Sequence, residues 1–180
     1  MAELSPALVH ALRPYLDVPC ALFGHSMGAL IAFELARELR RQDLPSTVHL
    51  FVSGRGAPER SRLRHPSSEL GADQLLARLR SMGGTPPAML EDPELMELVL
   101  PTLRADLTLC DTYVPAAEDP LECPITAFGG AQARGAGKDL RTWRRHTRGP
   151  FRTRMFRGGH FFLQSARPKL LKVIAEYLAE

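Results

Sequence analysis

The chain has 180 residues, 44% of them apolar, and a net charge of +3, which suits one globular domain with its own core. No apolar run approaches the roughly 20 residues that span a bilayer. The first twenty residues also lack a basic stretch followed by an apolar one, so neither a membrane helix nor a signal peptide is expected. The three cysteines, Cys20, Cys110 and Cys123, are odd in number and lack metal-ligand spacing, so they are expected to be reduced thiols of a cytoplasmic protein.

In chain order, Leu8, Leu12 and Tyr15 make an apolar stripe at helical spacing, interrupted by Pro14. Cys20-Ala21-Leu22-Phe23 suits a strand buried on both faces. Gly24-His25-Ser26-Met27-Gly28 follows, and then Ala32, Leu35, Ala36 and Leu39 mark one face of an amphipathic helix. Thr47-Val48-His49-Leu50-Phe51-Val52 reads as a second strand. Ile125-Thr126-Ala127-Phe128 reads as a third, stopped by Gly129-Gly130, and Thr153-Arg154-Met155-Phe156 as a fourth, stopped by Gly158-Gly159. Leu170, Ile174, Tyr177 and Leu178 face a closing helix. Strands alternating with helices predict a parallel sheet with right-handed crossovers.

Residues 57–121, between the second and third strands, are far more than a simple crossover requires. They read as helices (Leu75, Leu76, Leu79; Leu95, Leu98, Val99; Leu103, Leu107) broken by Gly83-Gly84-Thr85-Pro86-Pro87. An insertion of this kind beside an active site is expected to be a lid.

Gly24-x-Ser26-x-Gly28 fits a sharp strand-to-helix turn that raises a serine hydroxyl at a helix N-terminus, with small residues around it. The N–H of Met27 then faces the oxyanion that develops when Ser26 attacks an acyl carbon. Such a serine needs a base, which in this arrangement follows it in the chain with an acid between them. Of six histidines, His160 follows the fourth strand and its Gly-Gly pair, where the base must lie. His25 sits inside the turn and suits packing or the pocket wall, and His10, His49, His65 and His146 have nothing to recommend them.

Gly24-His25-Ser26-Met27-Gly28-Ala29 resembles the serine turn of type II thioesterases, the stand-alone hydrolases that accompany polyketide synthases and nonribosomal peptide synthetases. Further stretches resemble the same family: Phe51-Val52-Ser53-Gly54-Arg55 with Ala57-Pro58; Gly83-Gly84-Thr85-Pro86; Leu103-Arg104-Ala105-Asp106; Cys123-Pro124-Ile125-Thr126-Ala127-Phe128-Gly129-Gly130; and Phe156-x-Gly158-Gly159-His160-Phe161-Phe162-Leu163. The resemblance implies an α/β-hydrolase fold, a mostly parallel sheet flanked by helices, with residues 1–180 as a single partial domain and a helical lid at about 57–121. It also implies hydrolysis of acyl thioesters from the phosphopantetheine arm of acyl or peptidyl carrier proteins, with Ser26 as nucleophile and His160 as general base. No cofactor or metal is expected, and no nucleic acid or membrane partner.

Residues 141–157 hold seven arginines and no carboxylate. Their plainest reading is a solvated face. Because carrier proteins are typically acidic, the resemblance favours a docking patch.

Two departures from the family pattern stand out. The acid is expected two or three residues after the Gly-Gly of the third strand, where this chain has Ala131-Gln132-Ala133. Asp139 is the next carboxylate, a weak candidate for the acid and expected to cap a helix N-terminus. The resemblance also implies strands, and a second oxyanion-hole N–H, ahead of the serine strand, where this chain offers one helix. The expectations are therefore an edge position for the serine strand and little turnover by the 180 residues alone. The rival readings are a non-catalytic, truncated remnant that at most binds carrier protein, or a general serine esterase or acyltransferase.

Overall fold

The computed structural model describes residues 1–60, 67–133 and 136–179. His65, set aside above, lies outside the described residues. Helix α1 (Leu4–Leu12) gives way to a 3-10 turn at Arg13–Tyr15, where Pro14 cannot continue the hydrogen-bond ladder. Strand β1 (Cys20–His25) feeds α2 (Met27–Arg41), and β2 (Thr47–Ser53) follows. After the long crossover come β3 (Ile125–Gly130), β4 (Phe151–Phe156) and the closing helices α7 (Phe162–Ser165) and α8 (Arg167–Leu178). Among the described residues the sheet has the order β1-β2-β3-β4, with every pair parallel.

Alternation along the central strands sorts the core into two layers. Leu50 and Val52 of β2 and Ala127 of β3 point toward Ala29, Phe33 and Ala36 of α2, and toward Trp143. Phe51 and Phe128 point the other way, onto Phe162, Leu170 and Tyr177 of the closing helices. Helix α1 lies outside α2, with Val9 and Leu16 packed on Leu35 and Leu39. Burial of these apolar side chains is the main favourable term in holding the layers together. Strand β1 pairs with β2 and, among the described residues, forms one edge of the sheet, where Phe23 is 43% exposed. No helix among the described residues is long and apolar enough to cross a membrane.

The strands run longer than their sequence signals. Gly129 and Gly130 do not stop β3 but belong to it, paired with Met155 and Phe156. A side chain at Gly130 could not be accommodated there, since a Cβ would lie 2.0 Å from the Gly159 carbonyl oxygen. The two Gly-Gly pairs therefore let the ends of β3 and β4 approach each other.

The crossover is helical: α3 (Ala72–Met82), α4 (Pro87–Leu90) and α5 (Pro93–Thr112). The break at 83–87 is where the sequence puts it, with α3 closed by Gly83 in the left-handed conformation at φ 72°. The two stretches read after it are one helix, however, continuous through Pro101. The apolar face that packs Met96, Leu103 and Leu107 against Leu79 and Leu90 spans the proline, and that burial outweighs one lost backbone bond.

The crossover has a small core of its own, is braced internally by polar contacts, and is tied to α2 by others. Arg78 pairs with the Asp111 carboxylate at 2.7 Å, and Arg104 donates to the carbonyls of Ser67 and Leu70. Past α5, the Tyr113 hydroxyl donates to Glu34 of α2, and Arg37 bridges Glu34 and Glu118.

Asp139 is not an N-cap. It sits within the short helix α6 (Ala136–Leu140), which starts before Asp139 rather than after it.

Candidate active site

Ser26 stands between the end of β1 and the first residue of α2 with φ 55° and ψ −115°. A serine at positive φ costs on the order of 1–3 kcal/mol and persists only where its surroundings enforce it. Here the enforcement is visible. The Ser26 N–H donates to the Ser53 carbonyl at 2.8 Å, and the Ser26 carbonyl accepts from Ala29 N–H at 3.1 Å. A Cβ on Gly24 would lie 2.0 Å from the Gly28 carbonyl oxygen, so the helix can fold back only over a glycine. The need for small neighbours therefore holds at Gly24. At Gly28 a Cβ would meet nothing within 4 Å among the described residues.

Met27 opens α2. The N–H groups of a helix's first turn have no intrahelical acceptor, and the positive end of the helix dipole adds to their pull on an anion.

His160 comes to the serine from 134 residues away, with its Nε2 3.1 Å from Ser26 Oγ. It stands on the turn after β4, behind Gly158 at φ 123°. The ring packs edge-on against Phe161 (4.8 Å, 89°) and tilted against His25 (5.0 Å, 49°). Burial and then the nearby Arg55 guanidinium hold the His160 imidazole below its ordinary pKa, since both disfavour its charged form. The neutral imidazole is the form that accepts a proton.

No carboxylate among the described residues hydrogen-bonds to His160. Asp139 lines the same cavity without reaching the base, and Gln132 and Ala133 line it where the acid was expected. That cavity, about 950 Å³, lies between the C-terminal end of α3 (Ser81, Met82, Gly83) and the ends of β2, β3 and β4 (Gly54, Arg55, Gly129, Gly130, His160, Phe161).

Two neighbours of His160 have no chemical role legible in the sequence. Arg55 was quoted only as part of a motif. His25, read as packing or pocket wall, also makes polar contacts. Its Nδ1 lies 2.9 Å from Ser53 Oγ, its Nε2 is buried without a hydrogen-bond partner, and burial followed by the His160 charge lowers its pKa to about 4. The signal available for both was their adjacency to positions already singled out, next to Ser26 and at the end of β2.

The seven arginines of residues 141–157 are not a uniform free surface. Arg145 pairs with Glu59 at 3.3 Å, and Arg148 pairs with Asp119 and Glu122. Arg154 donates to the Tyr177 hydroxyl at 2.8 Å. Arg144 is exposed, and its guanidinium donates to the Thr147 carbonyl.

Comparison with known proteins bears directly on this arrangement. A family model described as Thioesterase domain matches residues 1–178. The gramicidin S biosynthesis protein GrsT of Aneurinibacillus migulanus is 39% identical over 99% of this chain and 70% of its own length. Thioesterase PikA5 of Streptomyces venezuelae is 38% identical over 98% of this chain, which spans 63% of that protein, under two thirds of its length. Among solved structures, the type II thioesterase BorB from the borrelidin biosynthetic cluster superposes with a TM-score of 0.86 at 40% identity, covering 98% of this chain and 72% of that one. The chain belongs to the thioesterase family and is a relative of the type II thioesterases.

Proposed function

We propose that Ser26 and His160 form a nucleophile–base pair that hydrolyses acyl thioesters carried on the phosphopantetheine arm of carrier proteins in polyketide or nonribosomal peptide biosynthesis. The observation that carries the reading is the 3.1 Å approach of His160 Nε2 to a Ser26 hydroxyl held at positive φ on a helix N-terminus. In this mechanism Ser26 Oγ attacks the thioester carbonyl while His160 Nε2 takes its proton. The Met27 N–H stabilises the tetrahedral oxyanion. The C–S bond then breaks, and the thiol leaves with the proton from His160. Water, deprotonated by His160, attacks the acyl-serine; the acyl–oxygen bond breaks, Ser26 Oγ takes the proton back from His160, and the free acid leaves. No cofactor enters this scheme, because the acyl group arrives already activated as a thioester.

The helical crossover serves as the lid over the cavity, and its arrangement above the strand ends supports that role. Family membership favours a thioester over a general ester substrate. The relatives' names, a gramicidin S biosynthesis protein and a thioesterase of a borrelidin cluster, support assembly-line carrier proteins as the source of the substrate. Unpaired Cys20, Cys110 and Cys123 agree with a reducing, cytoplasmic setting.

The test is covalent. A fluorophosphonate probe is expected to label the protein at Ser26, and Ser26→Ala is expected to abolish both labelling and hydrolysis of acyl-pantetheine. Labelling that survives Ser26→Ala would overturn the assignment, and a wild-type chain that neither labels nor hydrolyses would leave a binding remnant as the better reading.

A further inference from the structure

No carboxylate among the described residues hydrogen-bonds to His160, so its ring must be oriented by other contacts. The ring contacts identify them. Phe161, the residue after the base, stands edge-on to the His160 imidazole at 4.8 Å. It also contacts His25 at 5.7 Å. His25 is itself held, because Ser53 Oγ lies 2.9 Å from its Nδ1 and the Gly54 backbone packs on its ring, where a Cβ would be 2.5 Å from Cε1. Phe161 also meets Gly84, in the turn between α3 and α4. A Cβ on Gly84 would lie 2.0 Å from Phe161 Cε2 and 2.1 Å from Cζ. The Phe161 ring thus touches the backbone of the helical crossover as well as the two imidazoles.

We infer that Phe161 is the positioning residue for His160 and that Gly84, seated on its ring, makes the placement of the base depend on the placement of the crossover. The inference rests on the role proposed for Ser26 and His160. Physically, a packed ring can substitute for a carboxylate in orienting an imidazole, though not in stabilising the imidazolium. Gly84 has φ outside the left-handed region, so its lack of a side chain answers to the Phe161 ring and not to backbone conformation. When the crossover lies over the strand ends, Phe161 is pressed home and His160 faces Ser26. When it lifts, the ring loses its backing and the base is free to turn away. Closure over a substrate would then complete the base as well as exclude water.

The experiment is a double-mutant cycle of Gly84→Ala and Phe161→Leu, read by the rate of fluorophosphonate labelling of Ser26 and by titration of the His160 Cε1–H NMR resonance. Gly84→Ala has no room for its methyl group unless the Phe161 ring moves, and a displacement of about 1 Å at a catalytic group can cost on the order of 100-fold. The expected result is a labelling rate lowered by that order and a shifted His160 titration. Phe161→Leu alone is expected to lower the rate by about tenfold, within the usual contribution of a positioned base. The double variant is expected to match Phe161→Leu, because the shorter side chain leaves room for the methyl group. Thermal unfolding of each variant separates displacement of the base from loss of the fold. The inference is overturned if Gly84→Ala behaves as wild type in both readouts, or if the double variant shows the product of the two single losses. A wild-type chain that does not label would count against the proposed function instead, and the His160 resonance would still decide the link.

Discussion

At the scale of single residues, the site is defined by what surrounds an imidazole. Arg55 raises the cost of charging His160, on top of burial. In the role proposed for it His160 works in its neutral form, so a lowered pKa means that activity persists below the ordinary histidine value and falls only as pH drops through the depressed one. Arg55→Met removes the charge but not the burial. The acid limb of the kcat/KM profile, which reports the free enzyme's base, is therefore expected to move to higher pH in Arg55→Met while staying below about 6.5. An unmoved limb would show that Arg55 does not act on the base. Asp139 belongs to the same scale. Its carboxylate lines the cavity without hydrogen-bonding to His160, so Asp139→Asn is expected to change kcat by less than about threefold. Loss of a true triad acid costs about 10⁴, and a fall of that size would reinstate Asp139 as the acid.

Among the elements, the helical crossover is the least conventional part. Its own apolar core is small, comprising Leu79, Leu90 and Met96 with partly buried leucines around them. Much of its definition comes from Asp111, which accepts from Ser67 N–H at 3.0 Å, from Ser67 Oγ at 2.8 Å and from both terminal nitrogens of Arg78. Burial raises the Asp111 pKa, but the hydrogen bonds from Arg78 and Ser67 outweigh it and hold the carboxyl below the usual range. Asp111→Ala strands these donors and is expected to cost roughly 1–3 kcal/mol, measured by urea unfolding. The discount from a fully buried pair reflects Arg78, whose side chain is 24% exposed. A loss under a few tenths of a kcal/mol would show that apolar packing alone holds α3 against α5.

For the whole molecule, the question is how a large acidic partner would be met. The arginines of residues 141–157 differ in availability. Arg145 and Arg148 face acidic neighbours, while Arg144 contacts a backbone carbonyl and adds no neutralising charge. Exposed charges steer association and are screened by salt. Replacing Arg144 and Arg145 together by glutamate is expected to raise KM for an acyl-carrier-protein substrate several-fold, by an amount that shrinks as salt is added. KM for a small acyl thioester is expected to stay unchanged. Equal effects on both substrates would leave these arginines as solvated surface.

Adjacent residues alone specify the alternation of strands and helices, the place of the serine turn and the position of His160 after the fourth strand. Those features are local. A strand, a turn that only glycine at position 24 permits and a helix that follows are written in adjacent residues, and the base is marked by the Gly-Gly pair before it. Spacing also located the break between α3 and α4, because Gly83 and Pro87 punctuate the chain whatever surrounds them. The rest depends on contacts between residues far apart in the chain. Helix α5 runs through Pro101 because its apolar face packs across the proline, a balance that neighbouring residues cannot reveal. Gly129 and Gly130 pair within β3 because β4 lies beside them. Asp139 lies inside a short helix, where its carboxylate does not reach the base. Arg55, His25 and Gly84 gather around His160 and Phe161 from three distant stretches of chain. What an imidazole feels falls off over a few ångströms, and separation along the sequence carries no measure of that distance.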